Sequence, residues 1–223
     1  MPLMKPSRNI DLHGSAPDSS PVALLILDVV NDLEFDGGAA MLPRAIRMAR
    51  RIAALKARAS AAGVPVVYVN DNFGRWRSDF RRIVAHCLDD DVRGRKVVEL
   101  LVPDEADYFV LKPKHSGFFN TTLDLLLEYL QVETLVIAGM ATDACVLFTA
   151  ADAYMRDLAV IIPIDCVTAL TVPAHRQALA HMRRVLKADV VSSRAIDFAR
   201  LGGSRRPTRT KGRSAARKRS PRR

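Results

Sequence analysis

The chain has 223 residues, of which 49% are hydrophobic and 26% are charged, and this composition is typical of one substantial globular domain. No run of about 18 apolar residues occurs without a charge, which argues against a membrane-spanning helix. The three cysteines form no C-x-x-C pair, which argues against a disulfide scaffold and a structural zinc site. We therefore expect a cytoplasmic protein.

The formal net charge of +10 comes from the C-terminal end of the chain. Residues 203–223 contain ten Lys or Arg and no acidic residue, which leaves 24 of the 34 basic residues against 24 acidic ones elsewhere. We predict a folded domain over residues 22–202, between a flexible leader at 1–21 and a disordered basic tail at 203–223. The tail has the charge to contact a polyanion such as nucleic acid weakly, but it has no aromatic residue for stacking.

Short apolar runs alternate with segments of helical periodicity along the predicted domain. The predicted strands cover residues 22–27, 65–69, 108–111, 135–138, 158–164 and 188–191. The predicted helices start near residues 43, 79, 121, 143 and 173. This alternation predicts an α/β fold with three layers, in which an open, mostly parallel six-stranded sheet carries helices on both faces.

Ligands of an open parallel sheet bind outside the carboxyl ends of its strands. Ionisable or nucleophilic residues stand at five such ends: Asp28, Asp71, Lys112, Cys145 and Asp165. Cys145 falls in the first turn of a helix, where free N–H groups and the helix dipole favour a thiolate and are suited to hold an oxyanion. We interpret Cys145 as a nucleophile, Asp28 as its proton acceptor and Lys112 as a cation beside both. Taken singly, each residue also fits a structural role, as a buried thiol, a helix cap or a solvated amine.

Four stretches resemble the isochorismatase-like family of cysteine hydrolases, which includes amidohydrolases of small amides and ureides. The stretches are Leu24-Leu-Ile-Leu-Asp-Val-Val-Asn-Asp32, Val110-Leu-Lys-Pro-Lys-His-Ser-Gly-Phe118, Ile137-Ala-Gly-Met-Ala-Thr-Asp-Ala-Cys-Val146 and Thr149-Ala-Ala-Asp-Ala153. The resemblance covers residues 22 to about 192. It implies an Asp–Lys–Cys triad, which falls on Asp28, Lys112 and Cys145. It also implies a cis peptide between Met140 and Ala141, which directs the Ala141 N–H toward an oxyanion beside the N–H of Cys145.

The sequence departs from the family pattern at two places. Many relatives carry Gln two residues after the first Asp, whereas this chain has Val30. Nicotinamidase-type relatives bind a metal through an Asp-x-His and a second His after the second strand, but here that stretch is Asn70-Asp-Asn-Phe73. We therefore expect no metal ion and no other cofactor.

Four further residues are candidates for contact with a substrate: Asp71, Trp76, His115 and Phe118. We interpret Cys87 and Cys166 as structural, since neither has a triad around it. The predicted function is cleavage of a C–N bond in a small amide, carbamoyl or ureido compound through a covalent thiol intermediate. The alternatives are a vinyl-ether hydrolase of the isochorismate type and a non-catalytic protein that binds polyanions through its tail. We also expect a homo-oligomer, because proteins of this family commonly associate.

Overall fold

One parallel sheet organises the computed structural model, which describes residues 19–72 and 79–203. Within that part of the chain the strands are β1 (Val22–Leu27), β2 (Val66–Asp71), β3 (Tyr108–Lys112), β4 (Thr134–Met140), β5 (Ala159–Pro163), β6 (Val167–Thr168) and β7 (Asp189–Val191). Their order across the sheet is β3-β2-β1-β4-β5-β7, with β6 paired to β4 beyond the end of β5. All pairings are parallel. The predicted α/β fold is confirmed, but the predicted number of six strands is wrong.

Helices connect the strands as crossovers. They are α1 (Gly38–Ala61), α2 (Phe80–Asp89), α3 (Arg95–Glu99), α4 (Leu123–Tyr129), α5 (Leu147–Met155), α6 (Val172–Val185) and α7 (Phe198–Gly203). A π-helical turn, Thr142–Val146, leads directly into α5, and a 3-10 turn covers Ser193–Ala195. Asp79 caps α2 by accepting the N–H of Arg82, and Thr171 caps α6 by accepting the N–H of Ala174.

The core has two halves, one on each face of the sheet. Successive residues of a strand point to opposite faces, so Leu24 and Ile26 of β1 pack with α1, whereas Leu25 and Leu27 pack with α4, α5 and α6. All six residues of β1 are fully buried. Burial of each large apolar side chain contributes about 1.5–3 kcal/mol. The central strands are therefore rigid supports for whatever residues follow them.

The strand that sequence analysis missed is β6. It has two residues, Val167 and Thr168, and it pairs with Gly139 and Met140 at the end of β4. Two residues are too few to show the period-2 pattern by which a strand is recognised. Its pairing places Thr168 beside the turn that carries Cys145.

The described ends of the chain differ slightly from the predicted boundaries. Ser20 and Pro21, which we assigned to the leader, are tied to the folded body: the N–H of Ser20 donates to Leu130 O, and Pro21 O accepts the N–H groups of Glu133 and Thr134. The rest of the leader, up to residue 18, and the tail from residue 204 lie outside the described residues. No helix in the described ranges is long and apolar enough to cross a membrane.

Candidate active site

Three neighbouring strands bring their last residues to one edge of the sheet. Asp28 follows β1, Asp71 ends β2, and Lys112 ends β3. Asp71 stands opposite Lys112 in the parallel register, and the N–H of Asp28 donates to Val69 O of β2 at 3.0 Å. The strand order β3-β2-β1 therefore gathers two carboxylates and one ammonium within a few ångströms.

Asp28 is held rigidly at the centre of this group. Its φ of 52° lies in the left-handed region, which non-glycine residues seldom adopt. Its Oδ1 accepts the N–H of Asp71 at 2.7 Å, and its Oδ2 lies 2.9 Å from Nζ of Lys112. The contact between Oδ2 and Lys112 is an ion pair and lacks the alignment of a hydrogen bond. Oδ2 is buried and has no hydrogen-bond partner among the described residues. Oδ2 thus retains a lone pair that is able to accept a proton.

Lys112 is completely buried, and its ammonium is surrounded by acceptors. Besides Asp28, it lies 3.4 Å from Oδ2 of Asp71, 3.4 Å from Sγ of Cys145 and 3.2 Å from Lys114 O. Burial alone would lower the pKa of Lys112, but Asp28, Cys145 and Asp71 together outweigh burial and the pKa is raised. The side chain is therefore a permanent cation at neutral pH.

Cys145 sits in the π-helical turn between β4 and α5. The N–H of Val146 donates to Ala141 O, five residues earlier, at 3.1 Å, which gives a wider turn than an α-helix has. The first N–H groups of a helix have no acceptor further up the chain. Cys145 is partly exposed, whereas Cys87 and Cys166 are buried. Of the three thiols, Cys145 is the one within reach of a small molecule.

The environment of Cys145 favours the thiol over the thiolate. Burial, and then the adjacent carboxylate of Asp28, raise the pKa of Cys145 to about 12, although Lys112 acts in the opposite direction. The thiolate that we expected at the helix start is therefore opposed by burial and by the carboxylate beside it. Burial likewise raises the pKa of Asp28, and Lys112 only partly offsets this. A carboxylate with a raised pKa is a stronger base, so Asp28 is suited to take the thiol proton.

The end of β4 approaches β1 very closely. Gly139 has a φ of +112°, and a Cβ atom there would lie 2.1 Å from Leu27 O. The next peptide bond, Met140–Ala141, is cis, and the π-helical turn begins one residue later. The positive φ and the close approach to β1 therefore require glycine at position 139, where the segment that carries Cys145 begins.

The four residues predicted to contact a substrate lie in different surroundings. Asp71 lies at the site and contacts Lys112. His115 is exposed, with Nδ1 3.7 Å from Sγ of Cys145 and its ring centroid 5.6 Å from that of Phe148. Phe118 instead packs in the core under Arg156, because the chain turns inward after Lys114. Trp76 lies outside the described residues.

Several polar residues that support the site were not identified from the sequence. The side chain of Asn70 is buried and holds the backbone of Val30: Oδ1 accepts the Val30 N–H at 3.2 Å, and Nδ2 donates to Val30 O at 2.9 Å. The Lys112 loop is joined to α5, since Thr149 Oγ1 accepts the N–H of Gly117 at 3.0 Å. Ser116 also donates to Asp152 of α5.

One other candidate from the sequence, Asp165, has structural contacts. Asp165 accepts the N–H and the hydroxyl of Ser193, both at 2.7 Å, and it therefore orders the chain after β7. Asp165 does not belong to the group around Cys145. Among the described residues, no cluster of three or more His, Cys, Asp or Glu side chains has the arrangement of a metal site.

Known proteins share this fold and these motifs. A family model described as the isochorismatase domain matches residues 22–195. The uncharacterized isochorismatase family protein YaaI of Bacillus subtilis is 38% identical over 174 residues, which cover 78% of this chain and 95% of YaaI. Ureidoacrylate amidohydrolase RutB of Methylobacterium radiotolerans is 29% identical over 75% of each chain. The crystal structure of N-carbamoylsarcosine amidase from Thermoplasma acidophilum has a TM-score of 0.63 at 31% identity and covers 79% of this chain and 98% of its own. The chain therefore belongs to the isochorismatase family of hydrolases.

Proposed function

We propose that this hydrolase cleaves a C–N bond of a small carbamoyl or ureido compound, with Cys145 as nucleophile. One observation carries the proposal: a single buried ammonium, Lys112 Nζ, lies 2.9 Å from the Asp28 carboxylate and 3.4 Å from the Cys145 sulfur. A base, a cation and a thiol in mutual contact are the components of nucleophilic catalysis at a carbonyl group.

In the first half of the reaction, Cys145 Sγ attacks the carbonyl carbon while Oδ2 of Asp28 takes the thiol proton. Lys112 stays protonated and stabilises whichever of the two groups carries the negative charge. As the tetrahedral intermediate collapses, the C–N bond breaks and Asp28 returns the proton to the leaving nitrogen. The products of this half are a free amine and a carbonyl group bound as a thioester to Cys145.

The negative charge on the carbonyl oxygen requires hydrogen-bond donors. The N–H groups of Ala141 and Cys145 belong to the turn at the end of β4, and we assign them as these donors. One such donor is typically worth about 3–4 kcal/mol of transition-state stabilisation. Backbone donors fixed between a strand and a helix need no reorganisation during the reaction.

In the second half, water hydrolyses the thioester. Asp28 accepts a proton from the water molecule as its oxygen attacks the carbonyl carbon, and the sulfur leaves and recovers that proton. For a ureido compound the released product is carbamic acid, which decomposes to carbon dioxide and ammonia. Asp28 thus acts as base and acid in each half, and its raised pKa suits both roles.

The substrate class rests on the relatives and on the polar groups around the thiol. The names of RutB and of N-carbamoylsarcosine amidase both specify a substrate with a ureido or N-carbamoyl group. Such a group presents an NH2 donor beside its carbonyl. The partly exposed carboxylate of Asp71 is a suitable acceptor for it, and Nδ1 of the exposed His115 lies 3.7 Å from the sulfur.

The test measures ammonia release from a panel of N-carbamoyl amino acids, ureido acids and simple primary amides, and pyruvate release from isochorismate. Turnover on a carbamoyl or ureido member should disappear in Cys145→Ala. The matched control is Cys87→Ala, which removes a buried thiol of α2 and should retain turnover. Rapid quenching followed by peptide mass spectrometry should detect a carbamoyl group on the Cys145 peptide.

Two outcomes would contradict the proposal. Undiminished amide or ureide turnover in Cys145→Ala would remove the nucleophile from the mechanism. Activity confined to isochorismate would favour the vinyl-ether reaction instead.

A further inference from the structure

A second cleft lies beside the turn that carries Cys145. It has a volume of about 310 Å³ and is formed by α1 on one side and by the segment from β6 into α6 on the other. Neither Asp28, Lys112 nor Cys145 lines it. Nδ1 of His175 in its wall lies 2.9 Å from Oγ1 of Thr142, three residues before Cys145. The cleft is therefore a separate cavity that adjoins the candidate active site.

The wall contributed by α1 is strongly basic. Arg44, Arg47 and Arg51 all line the cleft, because residues three and four apart lie on one face of a helix. Asp165 is the one carboxylate among the lining residues; it lies 3.9 Å from Arg51. Both of its oxygens also accept hydrogen bonds from Ser193. One shared carboxylate against three guanidinium groups leaves an excess of two positive charges.

Arg44 has an unpaired donor in this wall. Its Nη2 donates to Leu170 O at 2.5 Å and thereby fixes the side chain. Its Nε is buried and has no hydrogen-bond partner among the described residues. A buried donor without an acceptor is unfavourable by about 1–3 kcal/mol. Arg44 is therefore a fixed positive charge beside the cleft.

The opposite wall offers hydroxyl groups and apolar side chains. Thr171 Oγ1 accepts the N–H of Ala174, so its own hydrogen is able to point to a ligand, and Thr168 is also a lining residue. Met48, Val167 and Val172 are apolar contributions to the same cleft. Ligand pockets of about 300 Å³ or more commonly combine an apolar lining with a few polar groups. The cleft thus has one face for a charged group and another for an organic group.

We propose that this cleft binds a small phosphate monoester. A phosphate monoester carries close to two negative charges at neutral pH, which matches the excess charge of the arginine wall. Its oxygens accept paired hydrogen bonds from guanidinium groups, for which Arg is better suited than Lys. The carbon skeleton of the ester would lie against Met48 and Val172.

The test is calorimetric titration of the full-length chain, in a buffer free of phosphate, with ribose 5-phosphate. Ribose serves as the neutral control and succinate as a dianion without phosphorus. The test variant is Arg47→Gln/Arg51→Gln, which spares Arg44. The matched control is Arg50→Gln/Lys96→Gln, which removes the same charge from two exposed residues that do not line the cleft. Because all three chains keep the basic tail, any binding there is common to them.

We expect ribose 5-phosphate to bind the wild-type chain and the control variant equally. The Arg47→Gln/Arg51→Gln variant should bind it about tenfold or more weakly, and ribose should not bind. Thermal unfolding checks that the test variant is folded; its one lost ion pair is solvent-exposed and contributes little. Equal weakening in the control variant would assign binding to the general charge of the chain and overturn the proposal. Absence of binding at millimolar ligand would overturn it, and equal affinity for succinate would overturn the choice of phosphate.

Discussion

The ammonium of Lys112 lies 2.9 Å from the carboxylate of Asp28, although the two side chains start from strands separated by a third. The intervening strand, β2, ends in Asp71, whose N–H donates to Asp28 and whose carboxylate contacts Lys112. The sheet order therefore produces the ion pair, and the pair controls the protonation of Cys145.

Replacement of Asp28 should separate thiol reactivity from turnover. In Asp28→Asn the negative charge that raises the pKa of Cys145 is lost while Lys112 remains. The thiolate fraction at neutral pH should rise, and alkylation of Cys145 by iodoacetamide should become about three- to tenfold faster. Turnover should fall by about 10²–10⁴-fold, because the base is gone.

Peptide mass spectrometry after timed alkylation measures the alkylation rate of Cys145. The matched control is Asp36→Asn, which removes an exposed carboxylate. Cys87 and Cys166 should stay unmodified in the folded protein because they are buried. Slower or unchanged alkylation in Asp28→Asn would show that the carboxylate does not oppose the thiolate.

The pH dependence of kcat/KM should report the carboxylate of Asp28. Burial raises the pKa of this group, and the mechanism requires it to be ionised before attack. Activity should therefore fall as the pH decreases through the raised pKa, at a higher pH than the value of about 4 that is usual for Asp. A rate profile measured on the best substrate of the panel tests this, and constant kcat/KM down to pH values near 4 would contradict it.

Gly139→Ala should prevent stable folding or lower stability by about 4 kcal/mol or more. The new Cβ would lie 2.1 Å from Leu27 O, at a φ of +112° that an alanine rarely adopts. Neither atom is able to move easily, since both belong to the backbone of paired central strands. Urea unfolding, monitored by circular dichroism, measures the decrease in the free energy of unfolding. Gly202→Ala, where a Cβ meets no atom within 4 Å, is the matched control and should be neutral.

Lys56→Ala should destabilise the fold by about 3 kcal/mol, because it leaves a buried carboxylate unpaired. Nζ of Lys56 lies 2.6 Å from Oδ2 of Asp107, and both side chains are more than nine-tenths buried. A second carboxylate, Asp104, lies at 2.7 Å but is largely exposed. Lys96→Ala, an exposed lysine on α3, should change stability little. Equal unfolding midpoints for the two variants would show that the Lys56 pair contributes nothing.

The sequence predicted the parts of the fold that rest on repeated patterns. The six apolar runs are strands in the structure, and the signal is strongest in the central strands β1 and β4, which are buried along almost their whole length. The two-residue strand at Val167 is too short for any pattern. At Phe118 the sequence motif placed the side chain near the substrate, but tertiary packing directs it into the core.

The grouping of Asp28, Lys112 and Cys145 followed from one topological rule about strand ends, and the structure places the three in contact. Other features depend on contacts between distant parts of the chain, which no local pattern reveals. Asn70 holds Val30 from 40 residues away, and His175 contacts Thr142 from 33 residues away. The raised pKa of Cys145 likewise comes from burial and then from Asp28, which is far away in sequence.

The pairing of β1 with β4 also affects how the chain folds. Val22 stands opposite Thr134, and Leu27 stands opposite Gly139. The centre of the sheet therefore closes only after more than a hundred intervening residues have been made and brought back. Such distant pairing slows folding and exposes apolar strands in the meantime. On the ribosome, β1 is able to pair with β2 early, but its other edge stays unpaired until β4 emerges, so chaperone binding should concentrate on the nascent N-terminal half.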